Sequence, residues 1–243
     1  MASKNQLKHI RALGQKKFRK EFGQYLVQGE KNVLELLAAG IEIVELFATP
    51  QFITTHQAQL RQVNVIPCDE ESLSKASTLV SNNAAIAIVA LPAEPAIDKR
   101  GWVLALDGVS DPGNLGTIIR VADWYGFKQV VLGEQCADPF NPKVISATMG
   151  SFVRVAAIRT NLNTFLAHYN GPIYGAYLGG ENVHQVAFGT QGVLVMGSES
   201  HGISSEIGKY ISHKITIPAF GGAESLNVAM ATGIIVDNIK RHG

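Results

Sequence analysis

The sequence predicts an α/β protein built as two units, and three observations carry that reading. Short apolar runs alternate with amphipathic stretches along most of the 243 residues, the pattern of strands laid beside helices. A segment without periodicity, Leu91 to Arg100, holds Pro92 and Pro95 and separates two such alternating blocks. In the second block the runs Val193 to Met196 and Ile215 to Ile217 each end in a glycine turn. Glycine lets the backbone bend sharply there and come close to a ligand.

Composition sets the outer bounds. A hydrophobic content of 46% with 17% charge is ample for a packed core. No unbroken apolar run is long enough to span a bilayer, and Met1 opens onto a basic polar segment without a signal-peptide core. Cys68 and Cys136 lie far apart, and neither they nor the seven histidines show metal-ligand spacing. The expectation is a cytoplasmic protein with no membrane partner, disulfide or metal.

The net charge of +1 says nothing about nucleic acid, but its distribution does. Up to Lys20 there is no acid, yet Lys4, Lys8, Arg11, Lys16, Lys17, Arg19 and Lys20 fall there, seven of the 21 Lys and Arg residues. With Phe18 and Phe22 beside them, this arm suits phosphate contact with some stacking. A solvated helix that contacts nothing fits the same residues.

After the arm, Tyr25 to Gln28 reads as a strand and Lys31 to Ala39 as a helix stopped by Gly40. Ile43 to Ala48 is a strand, Thr54 to Arg61 a helix, and Val63 to Ile66 a strand stopped by Pro67. Asp69 opens a short helix with Glu70 and Glu71 in its first turn, favourable for the helix dipole. Ala85 to Ala90 is apolar enough for a central strand. Nothing in this block looks catalytic. The expected boundaries are a first domain at 1–90, a linker at 91–100 and a second domain at 101–243.

The second block starts with a strand at Trp102 to Leu106. A turn-rich loop, Asp107 to Gly113, leads to a helix from about Asn114 with Leu115, Ile118, Ile119, Ala122 and Tyr125 on its apolar face. Arg120 on this helix wants an anion; an internal pair with Asp107, Asp111 or Asp123 would satisfy it equally. Strands follow at Lys128 to Leu132, Phe152 to Ile158 and Ile173 to Tyr177, with helices at Lys143 to Met149 and Leu162 to Tyr169. Leu178-Gly179-Gly180 reads as a third glycine turn. A final helix opens at Ser225, with Leu226, Ala229, Met230, Gly233 and Ile234 on one face. Glu199, Ser225 and Asn227 should then meet at the ends of two strands, where ligands bind in open α/β sheets. Ser225 and Asn227 are also ordinary helix caps.

Several enzyme classes are disfavoured. No Gly-x-Gly-x-x-Gly opens a helix after an early strand, no phosphate loop ends in Gly-Lys-Ser/Thr, and Gly197-Ser198-Glu199 is not a Gly-x-Ser-x-Gly elbow.

Three segments together resemble the SpoU–TrmH family of RNA 2′-O-ribose methyltransferases, in the SPOUT superfamily. They are Asp107-x-x-x-Asp111-Pro112-x-Asn114-x-Gly116-x-x-x-Arg120, then Gly197-Ser198-Glu199 running to Gly202, then Ile217-Pro218 with Gly221 and Ser225-Leu226-Asn227-Val228-Ala229. The N-terminal YLVQGEKNVLELL segment resembles the family's L30e-like substrate-binding domain. Two positions depart from the family pattern: Ser146 stands where Arg is frequent, and Ser200-His201 follow Glu199 where Gly is frequent.

The resemblance implies a SPOUT α/β domain with a deep trefoil knot, behind a smaller L30e-like α/β domain. It implies S-adenosylmethionine as cofactor, RNA as substrate (ribosomal before transfer RNA), and a homodimer formed through the C-terminal domain. Asn114, Arg120, Glu199, Ser225 and Asn227 fall on the family's active-site positions. Gly197, Ile217 and Leu226 fall where backbone groups hold the cofactor, with Leu178 and Gly179 in the same pocket. His201, outside the matched positions, reads as a loop residue. A non-catalytic RNA-binding protein on the same fold is the competing expectation.

Overall fold

Two sheets organise residues 2–242, the part of the chain described by this computed structural model. In chain order the first stretch holds α1 (Lys4–Leu13), α2 (Lys16–Phe22), β1 (Gln24–Gln28), α3 (Glu30–Ala38) and β2 (Ile43–Ala48). Then come α4 (Pro50–Thr55), β3 (Val65–Pro67), α5 (Glu70–Ala76) and β4 (Ala85–Ala90). The second stretch holds β5 (Trp102–Asp107), α6 (Pro112–Trp124), β6 (Gln129–Leu132), α7 (Pro142–Thr148) and a 3-10 turn at Ser151–Val153. It continues through β7 (Ala156–Arg159), α8 (Leu162–Ala167), β8 (Ile173–Asn182), β9 (Gly192–Gly197), α9 (Ser205–Gly208), β10 (His213–Thr216) and α10 (Val228–His242).

By packing, one unit comprises the chain up to Ala93 together with Asp138–Val153, and the other Glu94–Ala137 with Arg154 onward. The expected division at 91–100 gave no sign that Asp138–Val153 packs with the first unit. Ile145 is buried in that unit's core, with Phe140, Phe152 and Val153 packed against it.

The first unit is a mixed four-stranded sheet in the order β1-β4-β2-β3. Central β4 pairs antiparallel with β1 and β2, while β2 and β3 run parallel. Ala85 to Val89 are all buried, as a strand covered on both faces requires. Ser3 and Gln6 form a capping box at α1, and Asp69 Oδ1 accepts the Ser72 N–H at 2.8 Å to start α5. Helix α4 starts earlier than the expected Thr54 to Arg61 helix. Thr49 caps it and Pro50 occupies its first turn, a start signal that outranks the weaker downstream periodicity.

The second unit is a six-stranded sheet in the order β10-β8-β9-β5-β6-β7 with every neighbouring pair parallel. From β5 the chain adds β6 and β7 on one side, then returns to place β9 on the other. This reversal leaves a crevice at the carboxyl ends of β5 and β9, where Asp107 and Gly197 lie in register.

Three expectations are corrected here. Phe152 to Ile158 is not one strand: a 3-10 turn precedes β7, and Arg154 between them pairs with Asp123. Gly179 and Gly180 lie within β8 rather than in a turn. The register of β10 on β8 jumps between Lys214 and Ile215, and a Cβ on Gly180 would sit 2.6 Å from Lys214 O. Finally, α10 begins at Val228 and buries Val228, Ala229, Thr232, Ile235, Val236 and Ile239. Met230 is 63% exposed, so the inward face is rotated from the expected one.

Candidate active site

Local chemistry brings three loops to the carboxyl end of the second sheet. After β5, Asp111 caps α6 by accepting the Asn114 N–H on Oδ1 at 2.8 Å, with Pro112 in the first turn. Helix α6 therefore starts before Asn114 and fixes that residue in its first turn. After β9, Ser198 and Gly202 exchange two backbone hydrogen bonds, Ser198 N to Gly202 O at 3.0 Å and the reverse at 2.9 Å. This tight return carries Glu199. It requires glycine at 197, because a Cβ there would lie 2.1 Å from the Gly202 carbonyl carbon. Asp107 Oδ2 accepts the Ser204 N–H at 2.7 Å and ties the return to the end of β5.

The third loop ends in Asn227, whose Oδ1 accepts the Ala229 and Met230 N–H groups at 3.0 and 3.3 Å. Asn227 is thus the cap of α10, as its residue type suggested. Its other side-chain atom does more. Asn227 Nδ2 donates to Asn114 Oδ1 at 2.9 Å, and Asn114 Nδ2 donates to Glu199 Oε1. The carboxylate orients Asn114, and Asn114 orients Asn227, so both amides are fixed by their partners.

A cavity of about 1020 Å³ opens beside this chain of bonds. Leu178, Gly179, Gly197, Ile217 and Leu226 all line it, as do Glu199 and Ser225. Ser225 lies in irregular backbone ahead of α10 rather than at its first turn. Asn114 and Asn227 join the cavity through Glu199. Arg120 shares none of these bonds. It is exposed on α6 and makes no ion pair or hydrogen bond among the described residues. Its three candidate internal partners are engaged elsewhere: Asp107 with Ser204, Asp111 with the α6 amide, and Asp123 with Arg154. His201 Nδ1 meets Ser200 Oγ at 2.7 Å within the return.

Two contributors escaped the sequence reading. Asp107 opened the first motif and was weighed as an internal partner for Arg120, but its hold on the Glu199 loop was not foreseen. Lys214 lines the cavity and places Nζ 5.0 Å from the Tyr177 ring centroid. Burial, with the negative charge of Asp107 adding to it, pushes the Tyr177 hydroxyl above its ordinary pKa. Lys214 was missed because β10 starts before the apolar run that marked it.

Both stretches of the chain match known families. Residues 101–237 match the model of the SpoU rRNA Methylase family, and residues 4–87 match the MRM3-like substrate binding domain. The 23S rRNA (guanosine(2553)-2'-O)-methyltransferase RlmP of Bacillus subtilis is 30% identical over 245 residues, covering 98% of each chain. A TrmH-family protein from Porphyromonas gingivalis superposes with a TM-score of 0.88 and 38% identity over the whole of both chains. An rRNA methyltransferase from Sinorhizobium meliloti, solved with AdoMet bound, gives 0.87 and 31% over this whole chain and 97% of that one. The SPOUT fold class expected from the motifs is the one these neighbours carry. With its second sheet, its three converging loops and its matched N-terminal unit, the chain belongs to the SpoU rRNA methylase family.

Proposed function

We propose that this protein transfers a methyl group from S-adenosylmethionine to a ribose 2′-hydroxyl of ribosomal RNA at the cavity beside Glu199. The observation that carries the site is the bonded series Glu199–Asn114–Asn227, set against a cavity that Leu178, Gly179, Gly197, Ile217 and Leu226 line. The cavity suits the cofactor chemically. Leu178, Ile217 and Leu226 would offer apolar surface to a flat base, the glycine segments would offer backbone donors and acceptors, and Glu199 would give the cavity wall a carboxylate suited to a cationic cofactor.

When bound, S-adenosylmethionine supplies an electrophilic methyl group on a good leaving group. What remains for the protein is to align a weak nucleophile, and positioning can supply several kcal/mol. Arg120, a guanidinium with no ion pair or hydrogen bond among the described residues, anchors the adjacent phosphate and stabilises the developing alkoxide. Asn114 and Asn227 hold the ribose edge, and Ser225 adds a hydroxyl at the cavity wall. Ribosomal RNA is favoured over transfer RNA by the activity for which the Bacillus relative is named.

The same reading makes the protein a cytoplasmic homodimer through its C-terminal domain. Trp124 at the end of α6 is 85% exposed, and Met230 in the first turn of α10 and Leu226 just before that helix are exposed by half or more. Trp124 and Met230 are large apolar side chains on helices that pack together, and Leu226 lies just ahead of the second of them; this is the kind of surface a partner covers. No helix among the described residues is long and apolar enough to cross a membrane.

The test is methyl transfer from radiolabelled S-adenosylmethionine to separate pools of unmodified ribosomal and transfer RNA, followed by nucleoside analysis. A labelled 2′-O-methylnucleoside from ribosomal RNA is expected. Label on a base would overturn the acceptor chemistry, and label only in transfer RNA would overturn the substrate. Cofactor binding with no label in either pool would favour the non-catalytic reading.

A further inference from the structure

Setting histidine aside, three charged side chains line the cavity of the second unit: Glu199, Glu224 and Lys214. S-adenosylmethionine carries three charges of the opposite signs, a sulfonium, an ammonium and one carboxylate. The two acids suit the two cations, which leaves Lys214 to match the carboxylate.

Lys214 is held in place from both ends. Its backbone in β10 pairs with Gly175 of β8, and a Cβ on Gly180 would sit 2.6 Å from its carbonyl oxygen. Its ammonium stands 5.0 Å from the Tyr177 ring centroid, within the range at which a ring face attracts a cation. Glycine at 175 admits that ring, because a Cβ there would lie 2.8 Å from Tyr177 Cε2. Lys214 makes no ion pair or side-chain hydrogen bond among the described residues. Asp107, the acid whose charge reaches Tyr177, accepts the Ser204 N–H on Oδ2 instead.

Resting on this cavity as the cofactor site, we propose that Lys214 recognises the carboxylate of the methionine part of S-adenosylmethionine. It thereby selects the intact cofactor over its decarboxylated form. An ammonium already held against a ring has less side-chain freedom to lose on binding. Placement argues against an RNA phosphate as its partner. Asn114 and Glu199 follow β5 and β9, whereas Lys214 stands on β10 at the edge of the sheet, beside the strand that carries Leu178 and Gly179.

The experiment is calorimetric titration of the full-length protein with S-adenosylmethionine and, separately, with decarboxylated S-adenosylmethionine. Lys214→Met should weaken binding of the first about fivefold, the upper scale of a solvent-facing charge pair. It should leave the second within about twofold or bind it more tightly, since a cation is removed from beside a more cationic ligand. Lys214→Arg should keep the preference for the carboxylate, and added salt should erode that preference in wild type. Binding of the decarboxylated form also reports that the cavity of each variant is intact. Equal loss of both ligands in Lys214→Met would make the lysine a prop of the pocket, and no loss of either would make it a bystander; both results overturn the proposal. Failure of wild type to bind either ligand would sink the cofactor site and the lysine's role together. Lysine-dependent discrimination without methyl transfer to RNA would remove the reaction and leave the carboxylate contact standing.

Discussion

Arg19 donates from Nη2 to Asp138 Oδ2 at 2.6 Å, although 119 residues separate them. The same guanidinium donates from Nη1 to the carbonyls of Leu13 and Gly14 at 2.9 Å each. It thus closes the end of α1 and fastens the Asp138–Val153 segment to the N-terminal helices. Both side chains are largely withdrawn from water, at 3% and 16% exposure. Asp138→Ala would leave a buried cation without its counter-charge. We expect a loss of about 3 kcal/mol in urea denaturation, against a much smaller effect for Lys75→Ala, whose i,i+4 partner Glu71 is solvated. Equal effects would show that the buried pair contributes no more than a surface one.

Arg120→Ala should reduce turnover by about 10²–10³-fold, the scale of a lost transition-state donor, while calorimetric cofactor binding stays unchanged. Arg120→Lys should recover only part, since an ammonium cannot reproduce the guanidinium fork. Wild-type turnover in Arg120→Ala would remove this residue from the mechanism.

The two roles of Asn227 can be separated. Asn227→Asp keeps the acceptor that caps α10 but loses the donor to Asn114, so melting temperature should hold while turnover falls. Asn227→Ala loses both and should cost about 1 kcal/mol of stability in addition. If Asn227→Asp retains full turnover, the bond to Asn114 is dispensable.

Gly197→Ala places a methyl group against backbone atoms that cannot move independently. The Ser198–Gly202 return must open, and S-adenosylmethionine affinity should drop by more than about tenfold, a modest 1.4 kcal/mol. Gly179→Ala meets no atom within 4 Å and should leave affinity within about twofold if its side of the cavity stays open. Similar titration curves for the two variants would contradict this assignment of steric roles.

Burial raises the Tyr25 hydroxyl pKa from 10.0 to about 12. Below pH 10 the phenol is neutral in both folded and unfolded chains, and its contribution is complete. Between about 10 and 12 only the unfolded chain releases the proton, so stability falls as pH rises, by about 2–3 kcal/mol in full. The difference between wild type and Tyr25→Phe, followed by urea denaturation from pH 9 upward, should shrink or invert over that window. A constant difference would mean that Tyr25 ionises normally in the fold.

Much of this was legible because local signals and tertiary packing agreed. Ile43–Ala48 and Ala85–Ala90 are strands with the bounds their apolar runs give, and Asp69 caps the helix that its residue type marks. Asn114, Glu199 and Asn227 converge because each stands at a strand end or helix start, positions that sequence marks well; Arg120, further along α6, shares none of these bonds. Other features depend on distant partners and leave no local trace. Nothing near Asp138 announces that Arg19 holds it. The continuation of β8 through Gly179 and Gly180 follows from how closely β10 approaches, and the inward face of α10 from what lies beneath it. Apolar Met230 carried no mark of its exposure.

The return of Asp138–Val153 to the first unit also orders events in time. A chain leaving the ribosome can form β1 to β4 early, but Ile145 and the phenylalanines at 140 and 152 complete that core only after β5, α6 and β6 have emerged. The first unit is therefore unfinished when the second begins, since the stretch that completes it lies between β6 and β7 in the chain. A single proteolytic cut at 91–100 would not yield two self-sufficient fragments, and a gene truncated there would encode a first half lacking one wall of its core.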